Sequence, residues 1–281
     1  MSARTDERLG IIGLGAVGGS LALAWRDRAR LIAWSRDGHD RASAREAGIL
    51  VSDEAQWRDD LATRTVIVVA VPASEVAAVL RDVMRSVPDE CLVLHTTSLQ
   101  HGEALGLADD VLARVLGTHP IAGSERSGFS AADAEMFRGA TLRAEARASG
   151  DERKRIETLW RSVGISRTVW DDAAAHDALM SWVSHLPQLT STALAAVLAN
   201  RRIAPVDVGP GARDATRLAS SDLTMWVSLL RHAPRETVEA IGCLTSSLEA
   251  LRAAIDAQDT AALAAIWENA RAWRTAAEKR S

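Results

Sequence analysis

Short apolar runs alternate with helix-period segments through the first 171 residues. Leu9-Gly-Ile-Ile-Gly reads as a strand, and residues 16–26 follow as a helix. Arg30-Leu-Ile-Ala-Trp-Ser is a second strand, with a helix near 39–47. Thr65-Val-Ile-Val-Val-Ala-Val is a third, and its unbroken β-branched run marks a strand covered on both faces of a parallel sheet. A helix over 74–87 precedes the strand Cys91-Leu-Val-Leu-His. Further strands are expected at 113–116, 141–146 and 165–170, with a helix over 151–162. This alternation predicts a doubly wound α/β domain.

The pattern changes at Asp171. Ala-rich helical periods take over at 172–200, 212–230, 234–257 and 260–279, separated at 203–211 by a stretch with two Pro and two Gly. Pro234 suits a first helical turn and Asp259 an N-cap. Pro187, inside the first of these runs, removes a backbone donor and is expected to kink it. The reading is two domains, 1–171 and an all-helical 172–281. The second is small enough that its apolar stripes are best buried against a copy of itself, so a homodimer is expected.

Composition narrows the function classes. Hydrophobic residues make up 47% and charged residues 25%, the balance of a folded chain, and the net charge of -4 has no basic concentration. Nucleic acid and anionic membrane are therefore not the expected partners. The polar amino terminus has no signal-like apolar stretch, so the cytoplasm is the expected compartment. Cys91 and Cys243 lie far apart and read as reduced core residues, with no metal site implied. Nine Trp, two Phe and no Tyr assign no function by themselves.

Gly13-Leu-Gly15-Ala-Val-Gly18 follows the first strand and opens the first helix. These glycines allow a tight turn, close approach of a pyrophosphate to the backbone, and close helix–strand packing. The first domain is thus read as a Rossmann-type dinucleotide-binding unit. At the end of the second strand stands Ser35 rather than an acid, followed by Arg36 and Asp37. Ser35 does not repel a 2′-phosphate and Arg36 can pair with one, which favours NADP over NAD. Asp37 remains able to reach a ribose, and Arg36 can equally be a solvated surface charge.

His119-Pro-Ile-Ala-Gly-Ser124-Glu-Arg-Ser-Gly128 reads as a loop after a strand, at the edge where such sheets present ligands. Taken with the glycine fingerprint, it makes the chain resemble the prephenate/arogenate dehydrogenases. Val71-Pro72, the His-Asp that ends 171–177, Ser184-His-Leu-Pro187 and Gly209-x-Gly-x-Arg213-Asp-x-Thr-Arg217-x-Ala-x-Ser-Asp222-x-x-Met-Trp226 extend the likeness from Leu9 to about Trp226.

The resemblance implies oxidative decarboxylation of a cyclohexadienol to an aromatic ring, with hydride passing to a nicotinamide. His119 matches the histidine that takes the ring hydroxyl proton, a role that suits imidazole. Arg217 matches the arginine that binds a substrate carboxylate. Arg213 lies four residues away and is read on the same helical face, more as structure than as ligand. Ser124 matches a substrate contact, and Val71 and Pro72 belong to the cofactor side. Ser98 aligns with a serine near the nicotinamide, although the family often flanks it with Asp and Lys and this chain reads His95-Thr-Thr-Ser98-Leu-Gln100. Gln188 stands where many members carry a second histidine and does not decide between a keto-acid and an amino-acid side chain. His176 and His185 read as hydrogen-bonded core residues.

The last helical period runs to Lys279, so no separate regulatory domain is expected. Two other functions fit the same motifs: a dehydrogenase of an amino-substituted prephenate analogue, and a non-catalytic dinucleotide sensor that kept the fold.

Overall fold

The structure, a computed structural model, describes residues 7–27, 30–123 and 126–278. All seven expected strands form: β1 (Arg8–Ile12), β2 (Arg30–Trp34), β3 (Val66–Val69), β4 (Leu92–His95), β5 (Val115–Ile121), β6 (Thr141–Glu145) and β7 (Arg167–Asp171). They make one sheet in the order β2-β1-β3-β4-β5-β6-β7. Strands β1 to β5 pair in parallel, β6 runs antiparallel to β5, and β7 is parallel to β6. The connections carry α1 (Ala16–Trp25), α2 (Gly38–Glu46), α3 (Trp57–Leu61), α4 (Ala73–Met84), α5 (Asp109–Leu112) and α6 (Gly150–Ser162).

Period-two alternation puts apolar residues on both faces of the central strands. Ile11, Val66 and Val68 join Leu21, Trp25, Ile156 and Trp160 beneath α1 and α6. Ile12, Ile67 and Val69 join Val76, Leu80 and Val83, which recur on one face of α4. Each such side chain withdrawn from water contributes about 1.5–3 kcal/mol. Helix α6 starts on a capping box, with Ser149 and Glu152 exchanging side-chain and backbone bonds. Helices α3 and α5 are too short and too polar to announce themselves by period.

In the helical part, α7 (Ala173–Met180) passes through one π-turn (Ser181–His185) into α8 (Leu186–Asn200). The Leu186 N–H donates to Ser181 O, an i→i−5 bond, so the disturbance expected at Pro187 takes the form of a π-turn just before it. The single helix expected over 212–230 divides into α9 (Pro210–Thr216), a 3-10 turn at Arg217–Ser220, and α10 (Leu223–Leu230). Asp222 causes the division: its carboxylate caps α10 by accepting the Met225 N–H at 2.7 Å.

By compactness the chain divides after Pro234, and residues 235–281 form a second unit. That unit contains α11 (Arg235–Asp256) and α12 (Thr260–Glu278). Asp259 caps α12 through the Ala262 N–H, as expected. Val238, Leu248, Ile255, Trp267 and Trp273 on these helices stand exposed in the single chain. Cys91 is buried, but Cys243 is exposed on α11, which corrects its reading as a core residue.

Candidate active site

The order of the sheet brings the turns after β1 and β3 together at its parallel-strand carboxyl edge. Gly13 has φ +97, and a Cβ there would stand 2.3 Å from Ala70 O. At Gly18 a Cβ would stand 1.9 Å from Gly13 O, so both positions require glycine for packing. Gly15 differs: a Cβ would meet nothing within 4 Å. It is the N-cap of α1, whose first turn carries neither a side-chain cap nor an acid. An uncapped helix N-terminus facing open space fits a pyrophosphate. Val71 and Pro72 follow β3 on the same edge, with Pro72 immediately ahead of α4.

Ser35 is buried at the end of β2, and its carbonyl accepts from Arg41 at 2.5 Å. Arg36 is exposed and pairs with Glu75 of α4 at 2.6 Å. Asp37 caps α2, accepting the His39 and Asp40 N–H groups at 2.7 and 3.1 Å, and these backbone bonds hold its carboxyl below the usual range.

His119 lies within β5, paired with Arg143 of β6, rather than in a loop beyond the strand. The reason is the antiparallel return of β6, which zips onto 118–121 and extends the strand past its apolar run. His119 Nδ1 lies 3.1 Å from His176 Nε2, with ring centroids 5.3 Å apart and planes at 73°. His176 Nδ1 lies 2.8 Å from Asp177 Oδ1. The same carboxylate accepts the Gln100 N–H at 2.8 Å and the His101 N–H at 3.0 Å. His95, on the neighbouring β4, has Nδ1 2.7 Å from the Thr97 hydroxyl, which donates to Leu99 O at 2.7 Å. Burial, reinforced by His176, His95, Arg143 and His185, pushes the His119 imidazole down to about 3. Burial also pushes His95 down to about 4. Ser98 is half-buried in the loop between Thr97 and the two amides held by Asp177.

Arg217 opens the 3-10 turn and Arg213 sits in α9, so the two are on separate elements and not on one continuous α-helix. Both side chains are exposed. Asp222, nearby in sequence, serves as the cap of α10. Gln188 is buried on α8. Its amide donates to Leu218 O at 2.7 Å and its Oε1 accepts from the Ser221 hydroxyl at 3.2 Å, so it clamps both ends of the turn that follows Arg217. Ser124 lies outside the described residues.

Two family models cover most of the chain. One, described as prephenate dehydrogenase, nucleotide-binding domain, matches residues 21–161. The other, described as prephenate dehydrogenase, dimerization domain, matches residues 172–269. The chain belongs to the prephenate dehydrogenase family. It is an oxidoreductase of that type, a dehydrogenase of aromatic amino acid biosynthesis. A prephenate dehydrogenase of Lactococcus lactis subsp. cremoris is 25% identical over 97% of this chain and 78% of its own length. A cyclohexadienyl dehydrogenase of Zymomonas mobilis is 26% identical over 90% of each. The crystal structure of prephenate dehydrogenase from Aquifex aeolicus superposes with a TM-score of 0.85, at 22% identity, over 96% of this chain and 98% of the other, which establishes the shared fold.

Within this prephenate dehydrogenase-type chain His176 is the hydrogen-bonded core residue expected, and what sequence reasoning missed is its contact with His119 and with Asp177. The His-Asp dipeptide was visible, but neighbours on a helix point in different directions, and nothing in spacing announces that one side chain will reach the other. Among the described residues no group of ligands could hold a metal ion, and no helix is long and apolar enough to cross a membrane.

Proposed function

We propose that the chain oxidises a cyclohexadienol dicarboxylate of the prephenate/arogenate kind with NAD(P), and that His119 is the proton acceptor. The observation that carries this reading is the buried imidazole at the carboxyl edge of the parallel strands, held neutral and hydrogen-bonded on Nδ1. Gly13, Gly15 and Gly18, with Val71 and Pro72 alongside, would hold the dinucleotide, which would supply the hydride acceptor. His119 takes the ring hydroxyl proton as hydride departs from the same carbon. Loss of the ring carboxylate as carbon dioxide leaves a phenolate, to which His119 returns the proton. Arg217 grips a substrate carboxylate, its guanidinium being exposed for that purpose. Ser98 and Ser124 supply hydroxyl contacts, and Gln188 acts by holding the Arg217 turn.

NADP is accepted alongside NAD. Ser35 brings no negative charge, Asp37 is spent on its cap, and Arg36, exposed and paired with Glu75, would be the residue to hold a 2′-phosphate. Residues 1–171 work as the dinucleotide-binding domain and 172–281 as the substrate and dimerisation domain of a cytoplasmic homodimer. The exposed apolar residues of α11 and α12 support the dimer, and sedimentation at micromolar concentration should give twice the chain mass. A monomer there would remove that part of the reading.

The test is reduced-cofactor absorbance with each dinucleotide against prephenate and arogenate. His119→Asn should lower kcat on the order of 10²- to 10⁴-fold. Arg217→Ala should raise KM on the order of ten- to a hundredfold with a smaller effect on kcat. Absence of turnover with both substrates, or near-normal rates in His119→Asn, overturns it.

A further inference from the structure

The hydrogen bonds around Asp177 determine where every proton in the histidine pair must sit. Three donors converge on this carboxylate: the Gln100 N–H, the His101 N–H and His176 Nδ1. Each carboxylate oxygen accepts a backbone N–H, and an ionised carboxylate has no hydrogen to give, so against it His176 Nδ1 carries the hydrogen. His176 is completely buried and its ring is neutral when it carries only that hydrogen, which leaves a lone pair on Nε2. That lone pair lies 3.1 Å from His119 Nδ1 and can only be satisfied if His119 donates from that nitrogen. The remaining nitrogen of His119, Nε2, is then the bare one.

We propose that His176 and Asp177 are positioning residues that lock His119 in its Nδ1–H tautomer, leaving Nε2 as the proton acceptor. This rests on the reading of His119 as the group that takes the substrate proton. The opposite tautomer would set two lone pairs against each other across 3.1 Å inside the fold. Of the groups that act on His119, His176, His95, His185 and Arg143 all oppose its charging, and Arg143 is itself paired with Asp171. Asp177 is the carboxylate at the end of the histidine line, so the positive charge that His119 acquires during turnover is balanced through His176. The same carboxylate fastens the amides of Gln100 and His101, and so holds the loop that contains Ser98. One side chain therefore sets both the tautomer of the base and the path of the loop beside it.

The experiment is ¹⁵N NMR of histidine-labelled full-length enzyme, with His119 assigned from the signals lost in His119→Asn. Wild-type enzyme should show Nδ1–H and a bare Nε2 at His119. Asp177→Leu removes the acceptor of the His176 Nδ1–H, releases that ring's tautomer and should let His119 populate Nε2–H. Its kcat should fall on the order of 10²- to 10⁴-fold while KM changes much less. The pair His176→Gln and His176→Leu reads the same proton with the carboxylate and its backbone bonds intact. Gln offers an amide oxygen to the His119 Nδ1–H and should keep the tautomer and a larger share of kcat, whereas Leu should lose both. An Nε2–H signal in wild type, or unchanged His119 signals and kcat within about twofold across these variants, overturns the proposal. A tautomer that switches as described while His119→Asn stays active would instead overturn the reading of His119 as acceptor and leave the lock standing.

Discussion

A Cβ added at Gly15 meets nothing within 4 Å, whereas one at Gly18 stands 1.9 Å from the Gly13 carbonyl oxygen. The two glycines therefore differ: packing demands glycine at Gly18 and not at Gly15, where the proposed dinucleotide would lie. Gly18→Ala should destabilise the chain by about 1–3 kcal/mol through overpacking, seen as a lower urea midpoint. Gly15→Ala should leave that midpoint nearly unchanged and raise the KM for the dinucleotide. Equal loss of stability in both variants would show that Gly15 is a packing glycine too. At this scale the glycine fingerprint and His119 stood out in the sequence, the first as a short local pattern and the second through the motifs that accompany it. The His176–Asp177 contact did not, since it depends on a rotamer and on two backbone amides from a loop 76 and 77 residues away.

Strand positions followed directly from apolar runs buried on both faces, and this made the sheet readable before its pairing was known. The errors at the level of elements share one cause, a tertiary partner that a local pattern does not contain. Strand β5 outruns its apolar stretch because β6 pairs with Thr118 to Ile121, which moves His119 from a loop into the sheet. The helix expected over 212–230 breaks because Asp222 caps a new one. The broken segment is held by Gln188, whose amide spans Leu218 and Ser221. Gln188→Ala removes the hydrogen bond to the part-buried Leu218 carbonyl at a cost of about 0.5–1.5 kcal/mol. It should also raise the KM for the dicarboxylate several-fold with kcat largely retained, because Arg217 begins that turn. Unchanged KM in a folded Gln188→Ala enzyme would detach the glutamine from substrate binding.

For the molecule as a whole, acid should oppose this fold. His119 and His95 have folded values of about 3 and about 4, and His185 is also lowered, all by burial, against 6.5 for an exposed imidazole. Between those values the unfolded chain binds more protons than the native one, so stability rises with pH across the interval. It is fully present above about 6.5 and should decline as pH falls toward 4, measurable as a falling urea midpoint between about pH 7 and about pH 4.5. A flat midpoint over that range would mean that these rings are solvated. The two-part organisation was visible in the change of hydrophobic period at Asp171. The extent of the first compact unit, which runs to Pro234, was not, because compactness depends on contacts such as α10 against α4. The π-turn between α7 and α8 bears on how the chain can vary. A helix advances about 100° and 1.5 Å per residue, so one turn of wider winding resets the angular phase of everything after it. His176 lies before that reset and Gln188 after it, and each must arrive at its own azimuth to meet His119 and Leu218. The number of residues between them is thus constrained as tightly as their identity. Related chains should accept substitutions across 178–187 far more readily than a single insertion or deletion.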